Sequence, residues 1–159
     1  MGLLLAVTLI LSYAETLIPL PVSGIPGIKL GLANLSIVLA LEEFGERKAL
    51  LIDLLKVVLT GFLFGTMSTI LYALCGAMVS LLIMILLRKT GIFSVVGISI
   101  GGGIFHNLAQ LLLAGIIIES YSVVSYIPFL LISGVVTGAM IGIVANVLLP
   151  YIDRIRRSA

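Results

Sequence analysis

The sequence predicts an all-α membrane protein, a bundle of six transmembrane helices with both termini on the cytoplasmic side. Three observations predict it. The first is composition, since 61% of the 159 residues are hydrophobic and 10% are charged, with a mean hydropathy of +1.35. A soluble domain carries roughly 25% charged residues, so a chain this apolar lacks the polar groups to cover itself in water and lipid is its expected solvent. The second is segmentation. A bilayer crossing takes about 20 apolar residues, with a range of roughly 17–25, and runs on that scale fall at 2–18, 29–44, 48–64, 69–87, 92–118 and 127–150.

The third is the placement of charge. Arg47 and Lys48 follow the second run, Arg88 and Lys89 the fourth, and Arg154, Arg156 and Arg157 the sixth. Alternate connections lie on one side of a membrane, and basic connections stay in the cytoplasm. The opposite connections, 19–28, 65–68 and 119–126, contain no Lys or Arg. Seven of the nine basic residues therefore agree on a single orientation. The whole chain, 1–159, reads as one integral membrane domain.

Taken in order, the first run lacks the basic residues with which a signal peptide opens, and it is expected to be a membrane helix. Gly2 and Ala6 form a short small-residue pair on it, and Glu15 sits at its outer end. The loop Pro19-Leu20-Pro21-Val22-Ser23-Gly24-Ile25-Pro26-Gly27 follows. Proline and glycine favour tight turns over helix, and its apolar character suits a loop folded back over the bundle. Lys29 and Asn34 open the second span. Glu15 and Lys29 admit two readings, an interfacial ion pair or part of an outward-facing pocket.

The third span carries Asp53, Lys56 and Thr60, whose spacing puts them on one helix face. An ionisable group at the bilayer centre costs about 2.5–3.5 kcal/mol on insertion scales, so this stripe is expected to point into the bundle. At about 1.5 Å per residue, Lys56 lies roughly 12 Å from the basic turn. It either pairs with Asp53 and is neutralised, or presents a positive charge to an anionic ligand. Cys75 in the fourth span is a lone thiol in an apolar run, expected to be a packing residue.

The fifth span contains Gly101-Gly102-Gly103-Ile104-Phe105-His106-Asn107-Leu108-Ala109-Gln110. His106 and Gln110 share a face with Asn107 beside them, whereas Gly97 and Gly101 project on the other side, where small residues let helices approach closely. Three hydrogen-bonding side chains in the outer half of a lipid-embedded helix make a candidate ligand site. In the sixth span Gly134, Gly138 and Gly142 recur every four residues with Asn146 continuing the ridge. This is a helix-packing surface, with its partner expected inside the chain rather than in another subunit.

Several function classes are excluded. There is no GxxxxGK[ST] loop for a nucleotide, no His and Cys cluster at metal spacing and no basic patch for nucleic acid. Asp53 and Asp153 are the only aspartates, so paired carboxylates for a diphosphate-bound Mg²⁺ are missing. No catalytic residue and no metal ligand is assigned.

The segments Ile25-Pro26-Gly27-Ile28-Lys29-Leu30-Gly31-Leu32-Ala33-Asn34, Phe64-Gly65-Thr66 and His106-Asn107-Leu108-Ala109-Gln110-Leu111 resemble the membrane family described as heptaprenyl diphosphate synthase component I, also called the Gx transporter family. Its plan is similar to the substrate-binding S-components of energy-coupling factor (ECF) transporters. The resemblance implies a six-helix S-component fold in a prokaryotic cytoplasmic membrane, a ligand pocket facing outwards, and a first loop that caps it. It also implies a transmembrane coupling subunit and two cytoplasmic ATPases, which would use the ATP. The ligand candidates are then Glu15, Lys29, Asn34, Lys56, His106, Asn107 and Gln110. S-components dock through an AxxxA-type pattern in the first helix, which Gly2 and Ala6 only approximate before Ile10 interrupts it. The expected ligand is a modest anionic or heterocyclic molecule, vitamin-like or an isoprenoid precursor. The alternative is a non-catalytic membrane accessory subunit of polyprenyl diphosphate synthesis. A third reading, a proton-coupled carrier using Glu15, Asp53 and His106, would need no ATPase, and six helices without an internal repeat argue against it.

Overall fold

In an apolar solvent every backbone N–H and C=O needs a partner within the protein, and an α-helix supplies it inside each segment. The computed structural model describes residues 2–17, 31–119 and 121–158. These form α1 (Gly2–Leu17), α2 (Leu32–Phe44), α3 (Glu46–Phe64), α4 (Met67–Thr90), α5 (Val95–Ile118) and α6 (Ile127–Ser158), with no strand among them. By length and composition, Met67–Thr90, Val95–Ile118 and Val124–Arg154 can each cross a membrane. The helix α2 is shorter, rising roughly 20 Å against a hydrocarbon core of about 30 Å. The 19–28 loop and Lys29 lie outside the described residues.

The helix ends differ from the hydropathy boundaries for local reasons. At Gly31 the backbone is left-handed, with φ 73°, a conformation that a right-handed helix cannot continue through, so α2 starts at Leu32 and not at 29. Gly45, with φ 84°, joins α2 to α3 in a single residue, which glycine alone allows without strain. Thr66 caps α4 reciprocally with Thr69. That helix runs past 87 to include Arg88 and Lys89, whose charge suits the negative helix C-terminus. The expected 119–126 loop contains a short 3-10 helix, Tyr121–Tyr126. Pro150 sits inside α6 and does not end it; it forgoes one hydrogen bond to the carbonyl four residues back.

Helix α2 is the centre of the bundle, packing on α1, α3 and α6. Its Ile37, Val38, Leu39, Ala40 and Leu41 are all buried, as expected of a helix apolar on every side. Around it α3 packs on α4, α4 on α5 and α5 on α6. The α5–α6 contact is backbone to backbone. A Cβ on Gly134 would meet Gly103, one on Gly138 would meet Ser99 and Ile100, and one on Gly142 would meet Val96. The glycine ridge therefore has its partner within the chain. Asn146 does not continue it and is exposed, while Ala145 is fully buried. At about 100° per residue, Asn146 stands roughly 120° around from Gly134, whereas Ala145 stands only about 20° away. On α1, a Cβ at Gly2 would meet nothing within 4 Å and Ala6 is exposed, so that pair forms no buried packing seam among the described residues.

Charge gathers at one end of the bundle. Arg88 Nε lies 3.2 Å from Glu42 Oε2 and its Nη2 donates to the Glu42 carbonyl. Lys89 lies 3.1 Å from Glu46, and Lys48 sits over the Phe44 ring. These contacts bring the α2 C-terminus, the α3 N-terminus and the α4 C-terminus together.

Candidate functional site

Polar side chains on helices that face lipid outside must face one another inside. Here they enclose a cavity of about 220 Å³ to which all six helices contribute. Glu15, Asn34, Lys56, His106, Asn107 and Gln110 all line it. Six of the seven ligand candidates named from sequence thus meet in one place, and the seventh, Lys29, lies outside the described residues.

The α1 wall is built at helical spacing. Thr8 Oγ1 donates to the Leu4 carbonyl at 2.6 Å and Ser12 Oγ to the Thr8 carbonyl at 2.9 Å, which satisfies both buried hydroxyls within the helix. One turn further, Glu15 Oε1 accepts from the Leu32 backbone N–H at 2.6 Å. Leu32 is the first residue of α2, where N–H groups lack helical acceptors and an anion complements the helix dipole. Glu15 therefore fastens the end of α1 to the start of α2 while lining the cavity.

The α3 wall carries the charged pair. Lys56 Nζ is 2.8 Å from Asp53 Oδ1 and donates to Asn34 Oδ1 of α2 at 2.8 Å. Both ionic side chains are buried, with Asp53 4% and Lys56 7% exposed. Breaking such a pair by removing one partner costs about 3–5 kcal/mol, because the other charge is left buried. The Asp53–Lys56 ion pair weighed from sequence is thus present, and Lys56 is neutralised locally. Thr60 Oγ1, one turn on, donates to the Lys56 carbonyl at 2.7 Å.

On α5, Gln110 Nε2 lies 3.1 Å from His106 Nε2; with the amide nitrogen donating, the imidazole nitrogen accepts. Helix α4 makes room for this pair through Gly76, where a Cβ would stand 2.8 Å from Gln110 Cγ and 3.1 Å from His106 Cε1. Cys75 packs beside it, its sulfur 3.7 Å from the Ala109 carbonyl. Asn107 has a separate task, since its Nδ2 donates to the Leu130 carbonyl of α6 at 3.0 Å. Gly101 faces Ile83 and Leu87 of α4, the packing side expected of it. The glycine that meets α6 is Gly103.

Ser12, Thr69, Ser80, Ser99 and Thr137, which are not among the candidates from sequence, also line the cavity. Thr8, Ser12 and Glu15 did carry a signal, a four- and three-residue spacing on α1. Ser80 and Ser99 are single hydroxyls in apolar runs and carried none. Among the described residues the ionisable side chains that line the cavity are Glu15, Asp53, Lys56 and His106. No group of three or more His, Cys, Asp or Glu placed to hold a metal occurs among the described residues.

The cavity reaches Glu15, Gly31, Phe64, Gly65 and Thr69, which lie at the ends of α1 to α4 remote from the Arg88–Glu42 and Lys89–Glu46 pairs. Asp53, Ser80, Met84, Ser99 and Ile141 line its deeper part. Among the described residues it therefore extends from the buried Asp53–Lys56 pair towards the end of the bundle remote from those surface pairs.

Residues 4–148 match the family model described as heptaprenyl diphosphate synthase component I. No curated protein and no solved structure matches the chain. The match runs from the first turns of α1 to the last turns before Pro150 and includes every described residue of the cavity wall, so the chain belongs to the heptaprenyl diphosphate synthase component I family.

Proposed function

We propose that the protein is an integral membrane subunit that binds a small molecule within its helix bundle, of the S-component type, and works with an energy-supplying partner. The observation that carries this reading is the convergence of Glu15, Asn34, Lys56, His106 and Gln110 on one cavity. A packed interior keeps few voids larger than a water molecule, and a cavity of roughly 150 Å³ already accommodates benzene. A space of about 220 Å³ suits a molecule of one or two rings. In this reading six helices cross the membrane and both termini are cytoplasmic. The basic clusters then face the cytoplasm and the opposite end, towards which the cavity extends, faces outwards. The single domain has no nucleotide loop, so ATP would be used by two separate ATPases through a coupling subunit.

A second reading rests on the family description, which names a component of a two-part synthase. Here the chain is a non-catalytic membrane partner of a prenyl diphosphate synthase. A long polyprenyl chain exceeds the volume of the cavity, so in this role the synthase would dock on the outside of the bundle.

A mild-detergent pull-down of tagged protein from native membranes, with partners identified by mass spectrometry, separates the two. Recovery of a coupling membrane protein with two ATPases supports the uptake reading. Recovery of a soluble prenyl synthase subunit in its place refutes that reading and establishes the second.

A further inference from the structure

The Asp53–Lys56 pair is neutral as a unit, yet its hydrogen-bonding capacity is not used up. The 2.8 Å contact between Lys56 Nζ and Asp53 Oδ1 is ionic, and Oδ1 has no hydrogen-bond partner although it is buried. Asp53 accepts no hydrogen bond from any described group. The Lys56 ammonium has three donors, one directed to Asn34 Oδ1 and one side turned to Asp53. No further acceptor among the described residues holds the third. Both side chains are more than nine-tenths buried and both line the cavity. A buried carboxylate with open lone pairs beside a buried ammonium with a spare N–H is a high-energy arrangement unless something completes it.

What completes it follows from charge. An anion placed against Lys56 lies within a few ångströms of Asp53, so attraction and repulsion nearly cancel while the anion loses its hydration. A cation placed against Asp53 meets the same cancellation from Lys56. A neutral group with a donor and an acceptor side by side escapes both, because its N–H meets Asp53 and its carbonyl meets Lys56. Among the described residues of the wall no further Lys or Arg restores a preference for anions, and Asn34, Thr60 and Gln110 are uncharged.

We propose that the ligand of this cavity is an uncharged molecule carrying an adjacent donor and acceptor, of the amide, lactam or cyclic urea class, seated on Asp53 and Lys56. This rests on the cavity being a ligand site and narrows what it takes, from the anionic or heterocyclic molecule expected from sequence to an uncharged one.

The test uses three isosteric probes, benzamide, benzoate and benzamidinium, which share a shape and differ in charge. Each is titrated by calorimetry into the purified full chain in detergent, and into Thr60→Phe, which fills the cavity. Benzamide is expected to bind the wild type on the order of tenfold more tightly than either charged probe, the factor set by leaving one buried polar group unpaired, and to be lost in Thr60→Phe. In Asp53→Asn the preference moves to benzoate. If benzoate or benzamidinium binds the wild type best and is lost in Thr60→Phe, the cavity is a ligand site but the neutral class is wrong. If no probe shows binding that Thr60→Phe removes, the ligand-site reading falls and the inference falls with it.

Discussion

Replacing Gly138 with alanine tests whether α5 and α6 are in backbone contact. In an exposed helix the change would stabilise by about 1 kcal/mol, the propensity difference between the two residues. Here the added Cβ would stand 2.7 Å from both Ile100 Cα and the Ser99 carbonyl oxygen. Non-bonded carbon atoms rest at about 3.5–4.0 Å, so the two helices must part by roughly 1 Å at this level. The atoms in the way are backbone and cannot rotate aside. Parting the helices also loosens Gly134 against Gly103 one turn earlier and Gly142 against Val96 one turn later. Overpacking of this kind costs about 1–3 kcal/mol, and the rigid neighbours place Gly138 at the upper end. Subtracting the propensity gain leaves a net loss of about 2 kcal/mol. The assay is equilibrium unfolding by SDS titration in mixed micelles, with Gly2→Ala as the control because nothing lies within 4 Å of it. A Gly138→Ala protein as stable as the wild type would refute the close-contact geometry, whatever Gly2→Ala does.

Three further predictions follow from the cavity wall. Lys56→Met is expected to destabilise by about 3–5 kcal/mol, because it leaves Asp53 charged and buried, whereas the double variant Asp53→Asn/Lys56→Met recovers most of that loss; unfolding titrations of the three proteins complete the cycle, and additive effects would contradict a direct pair. His106→Ala should insert, fold and elute as the wild type does in gel filtration while losing ligand binding, so retained binding would remove His106 from the site. Asn107→Ala should be destabilised by about 1 kcal/mol through loss of the bond to the Leu130 carbonyl, and an unchanged unfolding midpoint would show that this bond contributes nothing.

Much of the site was legible because the membrane makes polar residues conspicuous. In an apolar run an ionisable side chain has to face the interior, so Asp53, Lys56, His106 and Gln110 stood out, and helical spacing placed each with its neighbours. Ser80 and Ser99 were not legible, since a hydroxyl can satisfy itself on its own helix and so sits equally well facing lipid or cavity. Asn107 was legible as polar, but its task of tying α5 to α6 through Leu130 depends on a carbonyl 23 residues away. Glu15 drew notice as a charge beside Lys29, yet the described partner is a backbone N–H at the start of α2, a group without any sequence signature.

By itself the sequence determined the all-helical class, the position of the first five helices to within a few residues, and the gathering of basic residues in alternate connections, while α6 runs on from the expected 150 to Ser158. These follow from local rules, namely the hydrogen-bond demand of an apolar solvent, the helical period and the conformations open to glycine. Tertiary structure alone decided that α2 is central, that Ala145 and not Asn146 extends the glycine ridge, and that Asn34 reaches Lys56 across two helices. It also decided how Lys56 is held: the spacing puts Asp53 on the same face of α3, but the 2.8 Å approach of Nζ to Oδ1 and the bond to Asn34 of α2 depend on rotamers and on the packing of α3 against α2.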